Sequence, residues 1–176
     1  MSKITPPNYS EGIALLNLFH QHSKRSLIEI AAPELADFKL LRLQKIMAGQ
    51  CVDITHDELV RLCVFGVSAD FESTNEILGL FNFPTLAQRS RSSQRSESGL
   101  KRLQSYHERS KERQRTICDW AGVDESLFSM ILHDKRPVTR PVLIRLCGWG
   151  FQRNLAETNA TLLDYDFMPL SEMRDW

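Results

Sequence analysis

The sequence predicts an all-α fold built from two tandem units of about five helices each, joined by a Ser/Arg-rich linker. Three observations predict it: a gapless internal match, apolar residues at helical spacing within both copies, and a polar break between them. The segment from Asp53 to Leu86 lies over Pro137 to Leu170 at a constant offset of 84 residues. Thr55 falls on Thr139, Leu59 on Leu143, Arg61-Leu62-Cys63 on Arg145-Leu146-Cys147, and Gly66 on Gly150. Thr74-Asn75 falls on Thr158-Asn159, Leu78 on Leu162, Phe81 on Tyr165 and Phe83 on Phe167. Upstream the match continues with a one-residue slip, Ile46-Met47 on Ile131-Leu132. Duplication accounts for this better than chance. Between the copies, residues 88–98 carry five serines, three arginines and no apolar side chain. Such a segment has nothing to bury. The expected organisation is a unit over 10–87, a linker over 88–97 and a unit over 98–172.

Each element has a local reason. Ser10 is placed to cap a first helix whose apolar positions are Ile13, Leu16 and Phe19, and Ser98 takes that place before Leu100, Leu103 and Tyr106. A helix is expected from Leu35 to Ala48, with Leu40, Leu41, Leu43, Ile46 and Met47 read as core. Thr55 followed by Glu58 is a capping box that starts the next helix. Thr139 holds the same place in the second copy, with Pro141 in the first turn, where no amide hydrogen is missed. Around residues 116–147 a short helix ends at Ala121-Gly122. The small Ala121 permits close crossing, and Gly122 suits the left-handed reversal. Val123 plugs the turn, and Asp124 or Ser126 caps a helix that turns Phe128, Ile131 and Leu132 inward. This pattern is a helix-turn-helix, whose second helix suits the DNA major groove.

Composition excludes several classes. The chain is 42% hydrophobic and 25% charged, which is ordinary for a globular protein. No apolar run reaches the roughly 18 residues of a membrane helix, and the start MSKITPPNYSEG reads as no secretion signal, so a cytoplasmic protein is expected. Cys51, Cys63, Cys118 and Cys147 are too scattered for a metal site and are read as reduced thiols; His20 and His22 fall on different helix faces. There is no glycine-rich phosphate loop, no G-x-S-x-G and no H-E-x-x-H, which speaks against an enzyme. No cofactor or metal is implied. Net charge is zero, but residues 89–115 carry nine basic and three acidic side chains while the flanking segments are each net −3. Concentrated positive charge is what phosphate binding needs.

The segment around residues 116–147 resembles the Cro/C1-type (XRE) repressor domains. The resemblance rests on Ile117, Ala121-Gly122-Val123, Ser126, Ser129, Ile131, Lys135-Arg136-Pro137 and the Leu143-x-x-Leu146 helix end; it covers about 35 residues closely and about 70 loosely. In the first copy Ala31-Ala32-Pro33-Glu34-Leu35 stands where the turn is expected, with Pro33 in place of glycine. A second likeness, to FlhD/FlhC-type subunits of flagellar and conjugative master activators, lies in the helical hairpin followed by Leu143-Ile144-Arg145-Leu146-Cys147.

The resemblance implies a sequence-specific transcriptional regulator of bacterial or phage type that binds double-stranded DNA. In the second copy it places Asp124, Glu125, Ser126, Ser129 and His133 toward the groove and Lys135, Arg136 and Arg140 toward phosphates. The carboxylates depart from the usual basic tip, although Asp or Glu can accept from a cytosine amino group. Arg109, Lys111, Arg113 and Arg115 form a basic stretch suited to phosphates, and Lys39, Arg42 and Lys45 mark the first copy's second helix. The alternative is a helix-turn-helix-derived protein-interaction module: an antitoxin, an inhibitor, or a subunit of a FlhD/FlhC-like complex. A protein partner or a homo-oligomer fits either reading. The acidic and aromatic tail LLDYDFMPLSEMRDW either packs on its own unit or docks a partner, with Trp176 the most exposed.

Overall fold

The structure is a computed structural model that describes residues 9–51 and 53–170. Its described residues are mostly helical, with one two-stranded ladder. The chain divides into two compact units, the first ending at Thr85 and the second beginning at Leu86. Trp176 lies outside the described residues.

The first unit runs α1 (Tyr9–Ser23), α2 (Leu27–Ala31), α3 (Leu40–Met47), α4 (His56–Arg61) and α5 (Phe71–Leu80). Capping sets the starts. Ser26 and Glu29 form a capping box at α2, and Thr55 with Glu58 forms the expected one at α4. Asp70 caps α5 by accepting from the Ser73 amide at 2.7 Å. Leu16, Ile30, Leu43, Ile46, Leu59 and Ile77 are buried at the centre.

The second unit has the same helix order: α6 (Glu97–Ser110), α7 (Gln114–Ala121), α8 (Glu125–Leu132), α9 (Arg140–Arg145) and α10 (Leu155–Asp164). A short ladder joins β1 (Ser93–Gln94) to β2 (Val138–Thr139). In both units the fourth helix passes into one π-helical turn, Leu62–Gly66 and Leu146–Gly150. The glycine there is crowded. A Cβ on Gly66 would lie 2.8 Å from Ile30 Cγ2, and one on Gly150 would lie 2.9 Å from Ile117 Cγ2. The first and last helices of each unit also touch closely, since a Cβ on Gly12 would strike the Phe81 ring and one on Gly99 the Tyr165 ring.

The turn before the third helix is held alike in both units. Arg145 donates to the carbonyls of Ala121 and Gly122, and Arg61 to those of Ala36 and Asp37. Gly122 has φ +61° and Asp37 φ +55°. Asp is among the few non-glycine residues that accept this left-handed conformation at modest cost. The first unit's turn is therefore Ala36-Asp37-Phe38, not the stretch around Pro33. Its third helix starts at Leu40 behind the N-cap Lys39, so it is shorter than the expected 35–48. The extra residues explain the difference: Ile30 and Ala36 are six positions apart, Ile117 and Ala121 four.

Other expectations change in detail. Ser10 sits inside α1 rather than at its cap, and Ser96, not Ser98, caps α6 by accepting from the Gly99 amide at 3.0 Å. Leu43, Ile46 and Met47 are core residues, but Leu41 is 64% exposed. The polar break over 88–97 is largely exposed, yet it is more than a spacer. Residues 93–94 pair with 138–139, and Arg95 donates to the Asp134 carboxylate at 3.0 Å. Backbone pairing and one ion pair attach a segment that has no apolar side chain to bury.

Candidate nucleic-acid interface

Helix α8 has a buried face and an outward face, with Leu127, Ser129 and Met130 half-buried. Phe128, Ile131 and Leu132 are buried, at the spacing that puts them on one side. Glu125 and Ser126 are exposed, Ser129 is half-buried, and His133 is exposed just past the helix end. Asp124 accepts from the amides of Ser126 and Leu127 at 2.9 and 3.2 Å. Its carboxylate is engaged in capping, where the positive end of the helix dipole favours it. Glu125 is left as the outward carboxylate of this tip. His133 Nδ1 lies 2.7 Å from the Ser129 carbonyl, which turns the ring back along the helix and leaves Nε2 directed away from that bond. Ser126, Ser129, Glu125 and His133 together supply donors and acceptors of the kind that read base edges.

Cations flank this face in the chain. Lys135 and Arg136 are exposed directly after α8. Arg140 differs: its guanidinium donates to the carbonyls of Met168 and Pro169, so it ties α9 to the segment after α10 instead of facing solvent phosphates. Before α8, the basic stretch separates into two groups. Lys101 pairs with Glu97 and Arg102 with Asp164, at 3.3 and 2.7 Å. Arg109, Lys111, Arg113 and Arg115 are exposed, Arg109 lying over the Tyr106 ring at 5.3 Å. Arg113 is the N-cap of α7 and offers its first turn no side-chain bond. Open amides and two arginines at a helix start make an anion-favouring corner.

The corresponding face of the first unit is built differently. Arg42 donates to Glu58 at 2.5 and 2.9 Å and to Asp53 at 3.4 Å. The nearly buried Glu58 carboxylate raises the Arg42 pKa above its ordinary value, so this pair locks α3 against the α4 cap. Arg42, expected from the sequence at DNA, is engaged with Glu58 and Asp53 in this unit. Lys39 and Lys45 remain exposed, but beside the exposed Leu41. Sequence spacing shows that α3 carries cations, not that Asp53 and Glu58 reach one of them. The turn-holding Arg61 and Arg145 are visible as the matched Arg-Leu-Cys triplets, although the triplets do not disclose which carbonyls they reach.

Three of the four cysteines, Cys63, Cys118 and Cys147, are buried, and Cys51 is half-buried. Burial pushes the thiols of Cys63 and Cys147 up to about 12 and that of Cys118 up to about 11. Among the described residues no group of His, Cys, Asp and Glu converges as a metal site, and no helix is long and apolar enough to cross a membrane. Compared with known proteins, the chain matches no family, no curated protein and no solved structure.

Proposed function

We propose that the chain is a transcriptional regulator of cytoplasmic, bacterial or phage type that binds double-stranded DNA sequence-specifically. In this reading both units are helix-turn-helix repeats of Cro/C1 character, and the second reads the bases. The observation that carries it is the outward face of α8: Glu125, Ser126, Ser129 and His133, with exposed cations before it at Arg113 and Arg115 and after it at Lys135 and Arg136. Polar side chains for base edges bounded by cations for phosphates are what a major-groove helix requires. The first unit then serves as support, since its Arg42 is spent on Glu58 and Asp53.

The test is a mobility shift with random duplex DNA across a salt series. Changing Arg109, Lys111, Arg113 and Arg115 to Ala together is expected to weaken binding to every sequence and to flatten the salt slope, by up to about 0.9 for each phosphate no longer neutralised. Unaltered affinity at low salt removes this patch from the interface.

One observation favours a second reading, a protein-interaction module. Ile28 and Leu41, in the first turns of α2 and α3, are 70% and 64% exposed. Exposed aliphatic side chains in these positions suit a protein surface better than a phosphate backbone. The two readings separate on the same gel, because a module of this kind gives no salt-dependent duplex shift.

A further inference from the structure

Beside α8 the second unit opens a cleft of about 430 Å³. Its apolar wall comes from Leu127 and Met130 of α8 together with Pro137 and Val142, all half-buried. Arg89 and Arg136 line it as well. We propose that this cleft binds a small amphipathic anion, with its apolar part on that wall and its carboxylate held by Arg89 and Arg136.

Three features lead there. The volume falls in the range of small-molecule sites, which are concave, mostly apolar and fitted with a few polar groups. Four neighbouring apolar side chains are left partly wet, and covering them is favourable for any apolar body that fits. The charge lining the cleft is also unbalanced, with Arg89, Arg136 and Arg145 against Asp124. Asp124 is occupied in capping α8, and Arg145 in holding the turn carbonyls. Neither Arg89 nor Arg136 has a hydrogen-bond or ion-pair partner among the described residues, so a ligand carboxylate meets two uncommitted guanidinium groups. Such charge-assisted bonds are the strong ones, and the arginine fork suits a carboxylate. A chain or ring of modest size matches a space of about 430 Å³.

Position gives the ligand a consequence. Leu127 and Met130 belong to the helix that carries Ser126 and Ser129, with Met130 one turn after Ser126 on the same face, and Arg136 is one of the cations proposed above for phosphates. Occupation therefore competes with DNA, a consequence that rests on the DNA-binding reading, while binding to the cleft does not.

The probe is octanoate, with neutral octanol as control, titrated into the full chain by calorimetry and by amide chemical shifts. Saturable one-to-one binding of octanoate is expected, with shifts grouped in α8 and residues 87–90, and octanol weaker by roughly tenfold. The double variant Arg89→Ala/Arg136→Ala is expected to bring octanoate down to the octanol level and to leave octanol unchanged. Val142→Trp fills the cleft and is expected to abolish both while preserving helicity. Absence of saturation, equal affinity for the two probes, or undiminished octanoate binding in the double arginine variant overturns the proposal. If Val142→Trp fails to fold, the arginine variant still decides. Octanoate that binds but leaves duplex affinity untouched sustains the cleft and overturns the competition with DNA alone, whereas octanoate binding with no duplex binding at all counts against the DNA-binding reading alone.

Discussion

Eight residues, 32–39, lead from the second helix to the third in the first unit, against three, 122–124, in the second, and the surfaces that follow differ accordingly. In the second unit Ala121-Gly122-Val123 makes a tight reversal, and α8 presents Glu125, Ser126 and Ser129 outward. In the first, Ala36-Asp37-Phe38 makes the same reversal after extra residues, and α3 presents Leu41 and Lys45 beside an Arg42 bound to Glu58 and Asp53. The fittings that join the helices are common to both: the crowded glycine of the π-helical turn, the arginine that holds the turn carbonyls, and the glycine under the last helix's aromatic ring. The comparison teaches that packing was kept where atoms touch and surface chemistry diverged where they do not. Close packing tolerates little change, while exposed positions are nearly free of stability cost.

The largest expected effect breaks the common part. Phe128→Ala removes a fully buried ring from under α8 and is expected to cost about 3–5 kcal/mol in urea unfolding. The matching change in the first unit, Leu43→Ala, is expected to cost about 2–5 kcal/mol. A loss below about 1 kcal/mol at either site contradicts the assigned core.

Next is the arginine that holds the turn. Arg145→Met keeps the aliphatic stem and leaves the Ala121 and Gly122 carbonyls without their donor, at about 1–3 kcal/mol. Arg61→Met is expected to do the same to the first turn. Equal, small losses at both sites sharpen the picture toward water replacing the guanidinium; a loss in one unit alone breaks the equivalence.

A smaller effect comes with pH. The Cys63 and Cys147 thiols are raised by burial to about 12, from an ordinary value near 9. The folded state then holds protons that the unfolded chain releases. Their contribution is full below about pH 9 and is lost as pH rises toward 12, by about 1 kcal/mol per thiol between pH 9 and 10. Changing each cysteine to Ala is expected to remove an equal share of that slope. Native thiols that react with an alkylating reagent at pH 8 as fast as unfolded ones contradict the burial.

Much of the fold is legible in the sequence, and the reasons for the exceptions are physical. Helical spacing and capping boxes are local signals, so the all-α fold and the starts of α4 and α8 can be read directly. The gapless match locates equivalent residues from Asp53 onward and, by the same logic, loses its register where the first unit carries extra residues. That is why the sequence points to Pro33 for the turn that belongs to Asp37, whose left-handed φ has no glycine to announce it. The linker's attachment rests on backbone pairing of Ser93 and Gln94, which side-chain composition does not encode. Arg42 and Arg140 resemble phosphate ligands in sequence because a cation's partners, here Glu58 and the Met168 carbonyl, are set by tertiary contact.

The central claim is that the outward face of α8 reads bases. Selection from a random duplex pool, followed by measured affinities for single-base variants of the selected site, tests it most directly when repeated with Glu125→Ala. A base-reading helix gives a defined site, and the substitution is expected to change preference at one base pair by about 1–3 kcal/mol, with the other positions unmoved. A pool that yields no site contradicts the account. So does an affinity that rises uniformly for all sequences, as removing one negative charge near phosphates would produce.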